Sequence, residues 1–361
     1  MSPASTISIG VTGKNPLGKA VLVIHGGAGN VTRERYGPEL QAKYRAALQS
    51  ALEAGYAVFC EGGCALDAVE AAVRNMEDNP LFNAGKGAVL TKDGTVELDA
   101  SIMVSSPAAA GAAKNVDRSR RTTAVTMIQH VKNPITLAKQ LYLSPEDTRH
   151  VLHAAPYVEK IASDYGLERV EEKYFHTPER DAQFANPETP DYAGIGDAKG
   201  TVGAVALDVY GNLAVGTSTG GMGAKLPGRI GDTPVPGAGY WCEEFTIEKK
   251  EGLLGKVFPF LSRSRETGMA VSGTGDGDYY LRYAVCHSIF ERMRLGGYTL
   301  SKAMKRVLGD LGHAGGEGGV IGVTKEGDVV MEMNSAGMFR GWIDLKEGKA
   351  RVGIFRDDVP A

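Results

Sequence analysis

Apolar positions along this chain fall into two spacings, one for strands and one for helices, and the change from one to the other marks out the elements. Residues 20–24 are a short apolar run that ends in His25-Gly26-Gly27-Ala28-Gly29, which predicts a buried strand entering a tight loop. Helical spacing follows, with Leu40, Tyr44, Leu48 and Leu52 after Pro38, then Leu66, Val69, Val73 and Met76 within 65–78. Residues 87–90 and 96–104 flank Lys92-Asp93-Gly94-Thr95, an Asp-Gly turn that predicts a hairpin. The same pattern returns at 202–207 with 213–217 and at 320–323 with 329–333. Helices are expected at 134–141, 151–165, 279–294 and 301–311.

Hairpins separated by helix pairs argue for antiparallel sheets covered by helices, and against the alternating strand and helix of a doubly wound fold. The near-continuous apolar run 202–207 suits a strand buried on both faces, as between packed sheets and an outer helix layer. Residues 177–199 lack apolar periodicity and carry Pro178, Pro187 and Pro190, which predicts an exposed, mobile segment ending at Gly200. Residues 107–121, Ala-rich and then basic, read as a surface loop.

Composition narrows the function classes. Of 361 residues, 43% are hydrophobic and 23% charged, the range of ordinary globular proteins. A net charge of −3 gives no general attraction for nucleic acid or an anionic membrane. Residues 1–19 have no apolar signal-peptide core, and no apolar run reaches the roughly 18 residues of a membrane span, so a cytoplasmic protein is expected. Cys60, Cys64, Cys242 and Cys286 match neither a zinc spacing nor a dense disulfide framework. The 48 glycines are about twice the average share of roughly 7%, and they cluster beside hydroxyl and charged residues at strand ends.

Gly200-Thr201 stands out among these clusters. A hydroxyl residue directly after glycine and directly before the strand at 202 is a self-cleavage point in principle. Breaking that bond would give Thr201 a free α-amine, whose unperturbed pKa is about 7.7–8.0. One residue would then hold its own nucleophile and base. Gly-Thr alone is common, and its weight comes from Thr217-Ser218-Thr219-Gly220-Gly221, Gly228-Arg229-Ile230-Gly231-Asp232 and Gly273-Thr274-Gly275 further along.

Together with residues 25–29, Pro80-Leu81-Phe82-Asn83-Ala84-Gly85, Glu97-Leu98-Asp99-Ala100, Gly237-Ala238-Gly239 and residues 334–340, these motifs closely resemble the plant-type L-asparaginase/isoaspartyl peptidase family of N-terminal nucleophile hydrolases. The resemblance covers most of the chain. It implies an α+β, four-layer αββα sandwich with two mostly antiparallel sheets, one domain over 1–361. It also implies self-cleavage at Gly200-Thr201 into pieces 1–200, with 177–200 as a mobile tail, and 201–361.

The implied activity is hydrolysis of the β-amide of L-asparagine or of β-aspartyl dipeptides, with Thr201 as nucleophile, Thr219 orienting it, and Thr274 with the Gly275 N–H as oxyanion hole. A zwitterionic substrate needs a cation and an anion side by side, and the resemblance assigns those roles to Arg229 and Asp232. Asn83 is expected near the nucleophile. A structural sodium ion is expected on backbone carbonyls of the loop that opens on Met76 and closes on Lys86. The chemistry requires no cofactor, and a homodimer of cut protomers is expected.

Other readings compete. Glycosylasparaginase and threonine-endopeptidase relatives would share the nucleophile. A different class takes residues 25–29 and Gly273-Thr274-Gly275-Asp276-Gly277 as loops cradling the phosphates of a nucleotide. Four stretches depart from the family pattern: Tyr240-Trp241-Cys242-Glu243-Glu244, whose Trp could reshape the pocket, the insertions 107–121 and 248–265, and Asp276-Gly277-Asp278.

Overall fold

The computed structural model describes residues 20–107, 116–117, 119–185, 200–247 and 265–360. Twelve strands, counted among these residues, form two sheets. The larger contains β1 (Val21–Gly29), β2 (Leu98–Val104), β3 (Thr122–Ile128), β4 (Leu152–Ala154), β5 (Val202–Leu207), β6 (Leu213–Thr219), β11 (Gly337–Asp344) and β12 (Arg351–Phe355), in the order β12-β11-β1-β5-β6-β2-β3-β4. The smaller runs β10-β9-β8-β7, from β7 (Tyr240–Ile247), β8 (Arg265–Gly275), β9 (Gly318–Thr324) and β10 (Val329–Met333). The strand pairs are antiparallel except β3 with β4.

The layers follow from side-chain alternation. In β1, Val21 and Val23 face the second sheet and pack with Val205, Leu213, Val215, Tyr240, Ala270 and Ile321. Leu22 and Ile24, one position off, face the helices. There they meet α1 (Pro38–Cys60), α2 (Ala65–Glu77) and α3 (Pro134–Leu143) through Leu48, Leu52, Leu66, Val69 and Leu137. On the far side of the smaller sheet lie α7 (Val285–Arg294) and α8 (Leu300–His313), whose Ile289, Phe290, Met304 and Leu308 pack on Met269 and Val271. The expected helix-sheet-sheet-helix sandwich is the fold.

Several expectations change. Residues 25–29 are not a loop: they continue β1, buried throughout, and pair with β11. Gly273 to Gly275 likewise pair with β9. Most of both runs is tied into sheets, with Gly26 and Gly27 in a bulge of β1 and Asp276-Gly277 beyond the end of β8, which counts against two open loops cradling a phosphate. No strand forms at 87–90, because Val89 N–H donates to the Asn83 side chain and Ala88 N–H to Gly85.

The helix expected over 151–165 begins only at α4 (Tyr157–Asp164), since the residues before Pro156 are extended and pair with β3. That expected over 279–294 is two helices, α6 (Gly277–Tyr283) and α7, broken at Ala284 with φ +43°. The N–H groups of Cys286 and His287 bond to Ala238 and Gly237 instead of continuing the first helix.

Of the segment expected to be loose, Pro178–Ala185 is a helix, α5. Thr177 caps it by accepting the Arg180 N–H at 3.2 Å, and buried Arg180 donates to the Gly87 carbonyl at 2.7 Å. Residues 186–199 of that segment, 108–115 of the expected surface loop and 248–264 lie outside the described residues. Arg120 of the surface loop is tucked inward, donating to the carbonyls of Leu141 and Thr148.

Candidate active site

The expected residues converge where β5, β6 and β8 end. Thr201 precedes β5, Thr219 ends β6, Thr274 and Gly275 end β8, and Arg229, Asp232 and Thr233 come from the connection between β6 and β7. They line one cleft of about 290 Å³ with Gly200, Gly221, Met222 and Gly277, except that Thr274 lies just behind Thr201.

Continuous chain runs through Gly200-Thr201, and the Gly200 carbonyl and the polar groups of Thr201 are all held. The Gly200 carbonyl accepts from Asn83 Nδ2 and from Thr219 Oγ1, both at 2.9 Å. Thr201 N–H donates to Thr274 Oγ1 at 3.1 Å, and Thr201 Oγ1 meets Thr233 Oγ1 at 3.1 Å. The Thr201 carbonyl accepts from His25 Nδ1 at 2.8 Å, and His25 Nε2 meets Ser272 Oγ at 2.7 Å. Burial pushes the His25 pKa down to about 3, so this imidazole is a neutral bridge between the sheets and not a base.

Asn83 is fixed on both ends of its amide. Its Oδ1 accepts from Val89 N–H at 2.9 Å, and its Nδ2 also donates to the Gly221 carbonyl at 2.7 Å. Thr219 in this continuous chain bonds to the Gly200 carbonyl and not to the Thr201 hydroxyl, whose partner is Thr233. Sequence reading missed Thr233, a neutral hydroxyl one position after Asp232 with nothing in its type or spacing to mark it. Thr217 and Ser218 are strand residues as expected, bonded to Ser101 and Glu77.

Arg229 is presented by a turn anchored from below. Buried Lys225 donates to the Glu97 carbonyl at 2.7 Å, and the Glu97 carboxylate accepts the Gly228 N–H at 2.9 Å. Asp232 is buried, which lifts its pKa to about 7, while its own backbone and Arg229 pull it down and Asp99 and Asp278 raise it further. Gly275 has φ +136°, and a Cβ there would stand 2.4 Å from the Glu317 carbonyl oxygen. Only glycine fits that strand end, which lines the cleft.

Comparison with known proteins decides the family. The asparaginase family model matches residues 18–247 and 264–353. The chain belongs to the asparaginase family. It is 39% identical over 351 residues to the isoaspartyl peptidase of Salmonella typhimurium, covering 94% of this chain and 100% of that one. It is 38% identical to the isoaspartyl peptidase of Escherichia coli, over 94% and 98% of the two chains. With the isoaspartyl peptidase/L-asparaginase of Homo sapiens it shares 34% identity, over 94% and 97%.

Within this asparaginase-family chain the departures sort by place. Trp241 does not line the cleft. Its ring packs on His287 and Phe290 at 4.8 and 5.7 Å, on the outer helix layer, so it cannot reshape the pocket directly. Asp278, by contrast, bonds to Arg229. Among the described residues no cluster of three His, Cys, Asp or Glu could hold a metal ion, and no helix is long and apolar enough to cross a membrane.

Proposed function

We propose that this chain is a threonine amidohydrolase that cuts itself at Gly200-Thr201 and then hydrolyses the β-amide of L-asparagine and the isopeptide bond of β-aspartyl dipeptides. The observation that carries the reading is the Gly200 carbonyl held between Asn83 and Thr219 at 2.9 Å each, beside the Thr201 hydroxyl. Attack of Thr201 Oγ on the Gly200 carbon places negative charge on the oxygen those two donors face. Collapse breaks the C–N bond, the nitrogen takes a proton, and an ester remains. Water then cleaves the ester, leaving a carboxylate on Gly200 and a free amine and hydroxyl on Thr201.

In the cut form the Thr201 amine, beside Thr274, takes the proton of its own hydroxyl as that oxygen attacks the substrate's side-chain carbonyl. The Thr274 hydroxyl and the Gly275 N–H stabilise the oxyanion. Ammonia or an amine leaves with the proton, and water releases aspartate. Losing one such donor typically lowers the rate by about 100-fold or more. Arg229 and Asp232 hold the substrate's α-carboxylate and α-ammonium.

A sodium ion on the loop 76–86 belongs to the same proposal, with the structural role of fixing the loop that carries Asn83. Its support is a crowd of carbonyls: a Cβ at Gly85 would meet the Glu77 oxygen at 2.3 Å, and one at Gly87 the Phe82 and Pro80 oxygens at 2.2 and 2.5 Å. Neutral oxygens of this kind suit a hard monovalent ion. Pairing of cut protomers as a homodimer and residence in the cytoplasm complete the proposal, the latter supported by four free cysteines. Denaturing gels, with ammonia release from L-asparagine and aspartate release from β-aspartyl-leucine, test the reading. An uncut, inactive parent protein would refute it.

A further inference from the structure

We propose that Asp278 tunes substrate affinity by competing with the substrate's α-carboxylate for Arg229, an inference that rests on the amidohydrolase reading. Arg229 Nη2 donates to Asp278 Oδ1 at 3.1 Å, so the guanidinium that would receive the substrate already holds a carboxylate. The geometry comes from the departing stretch Asp276-Gly277-Asp278. Its backbone lies against both members of the clamp. A Cβ at Gly277 would stand 2.5 Å from Asp232 Oδ1 and 3.4 Å from Arg229 Nη2.

Three charges therefore meet at the cleft: one cation, buried Asp232, and Asp278 with 48% of its side chain exposed. A zwitterion balances a clamp of one cation and one anion. Here its carboxylate must displace Asp278 from Nη2 or bind beside it against like-charge repulsion. Asp278 can let go, because half its surface already faces water and exposed ion pairs are weak. It acts as a tethered, weak competitor that raises the substrate concentration needed for half-maximal rate without touching the reacting atoms.

The test uses matured parent, Asp278→Asn and Asp278→Ala, with thermal melts to confirm folding. KM and kcat are measured for L-asparagine, and the Kd of L-aspartate by titration calorimetry. Both variants are expected to lower KM and Kd by about two- to fivefold, the span of an exposed ion pair, with a smaller change in kcat. Unchanged or raised KM and Kd would overturn the proposal, since Asp278 would then be inert or would orient Arg229 for the substrate. Tighter L-aspartate binding without ammonia release from any form would sustain the competition and refute the hydrolase reading. A parent protein that neither binds L-aspartate nor releases ammonia would refute both.

Discussion

Asn83→Asp separates the self-cleavage machinery from mere packing. The substitution keeps the shape of the side chain and the bond from Val89 N–H at 2.9 Å. It replaces the amide that donates to Gly200 at 2.9 Å and to Gly221 at 2.7 Å with an acceptor facing two carbonyl oxygens. Removing one oxyanion donor costs about 2.7–4 kcal/mol, or about 10²- to 10³-fold in rate. The carboxylate also faces the charge that develops on Gly200, which adds to the loss. Cleavage should therefore slow by at least about 100-fold, while the unsatisfied Gly221 carbonyl lowers stability by about 1–3 kcal/mol.

The fraction cut, followed over time on denaturing gels, reads the first effect, and a thermal melt reads the second. Thr219→Val, which deletes the other donor to the same oxygen, should slow cleavage by a similar factor. Cleavage of Asn83→Asp within about threefold of the parent, a loss of only about 0.7 kcal/mol, would refute the role given to these two donors.

Other outcomes follow from the clamp and from the strand end. Asp232 must be ionised to hold an ammonium, and its pKa is lifted to about 7, so affinity is present above that pH and is lost as pH falls through it. kcat/KM for L-asparagine should fall about tenfold per pH unit on the acid side, and a flat profile from pH 5 to 8, roughly the span that brackets this group, would contradict the assignment. Gly275→Ala forces a side chain into φ +136° and against the Glu317 carbonyl, so both melting temperature and ammonia release should drop. Backbone strain of this kind costs on the order of 1–3 kcal/mol, and an unchanged melt would show that the strand end yields.

The helices α1, α2 and α8 were legible in the sequence because each buries a regular stripe of apolar residues, and the hairpins β5-β6 and β9-β10 because short apolar runs flank a turn. Residues 87–90 looked like a strand for the same reason, but their N–H groups serve the Asn83 loop, a tertiary demand that local pattern does not carry. Trp241 drew attention by size, yet strand alternation turns it to the helix layer. That Thr201, Arg229 and Asp232 would share one cleft was readable from a constellation of motifs. Thr233 was not, because a lone hydroxyl acquires meaning only when the fold sets it 3.1 Å from the Thr201 hydroxyl.

The most direct test is intact-mass and N-terminal analysis of the parent and Thr201→Ala, with ammonia release measured on the same samples. The parent should yield two pieces, one beginning at Thr201, and should turn over L-asparagine. Thr201→Ala should remain one chain of 38.2 kDa with no turnover. Cleavage of the variant at residue 200, or hydrolysis by it at the parent rate, would contradict the claim that one threonine both cuts the chain and carries out the reaction.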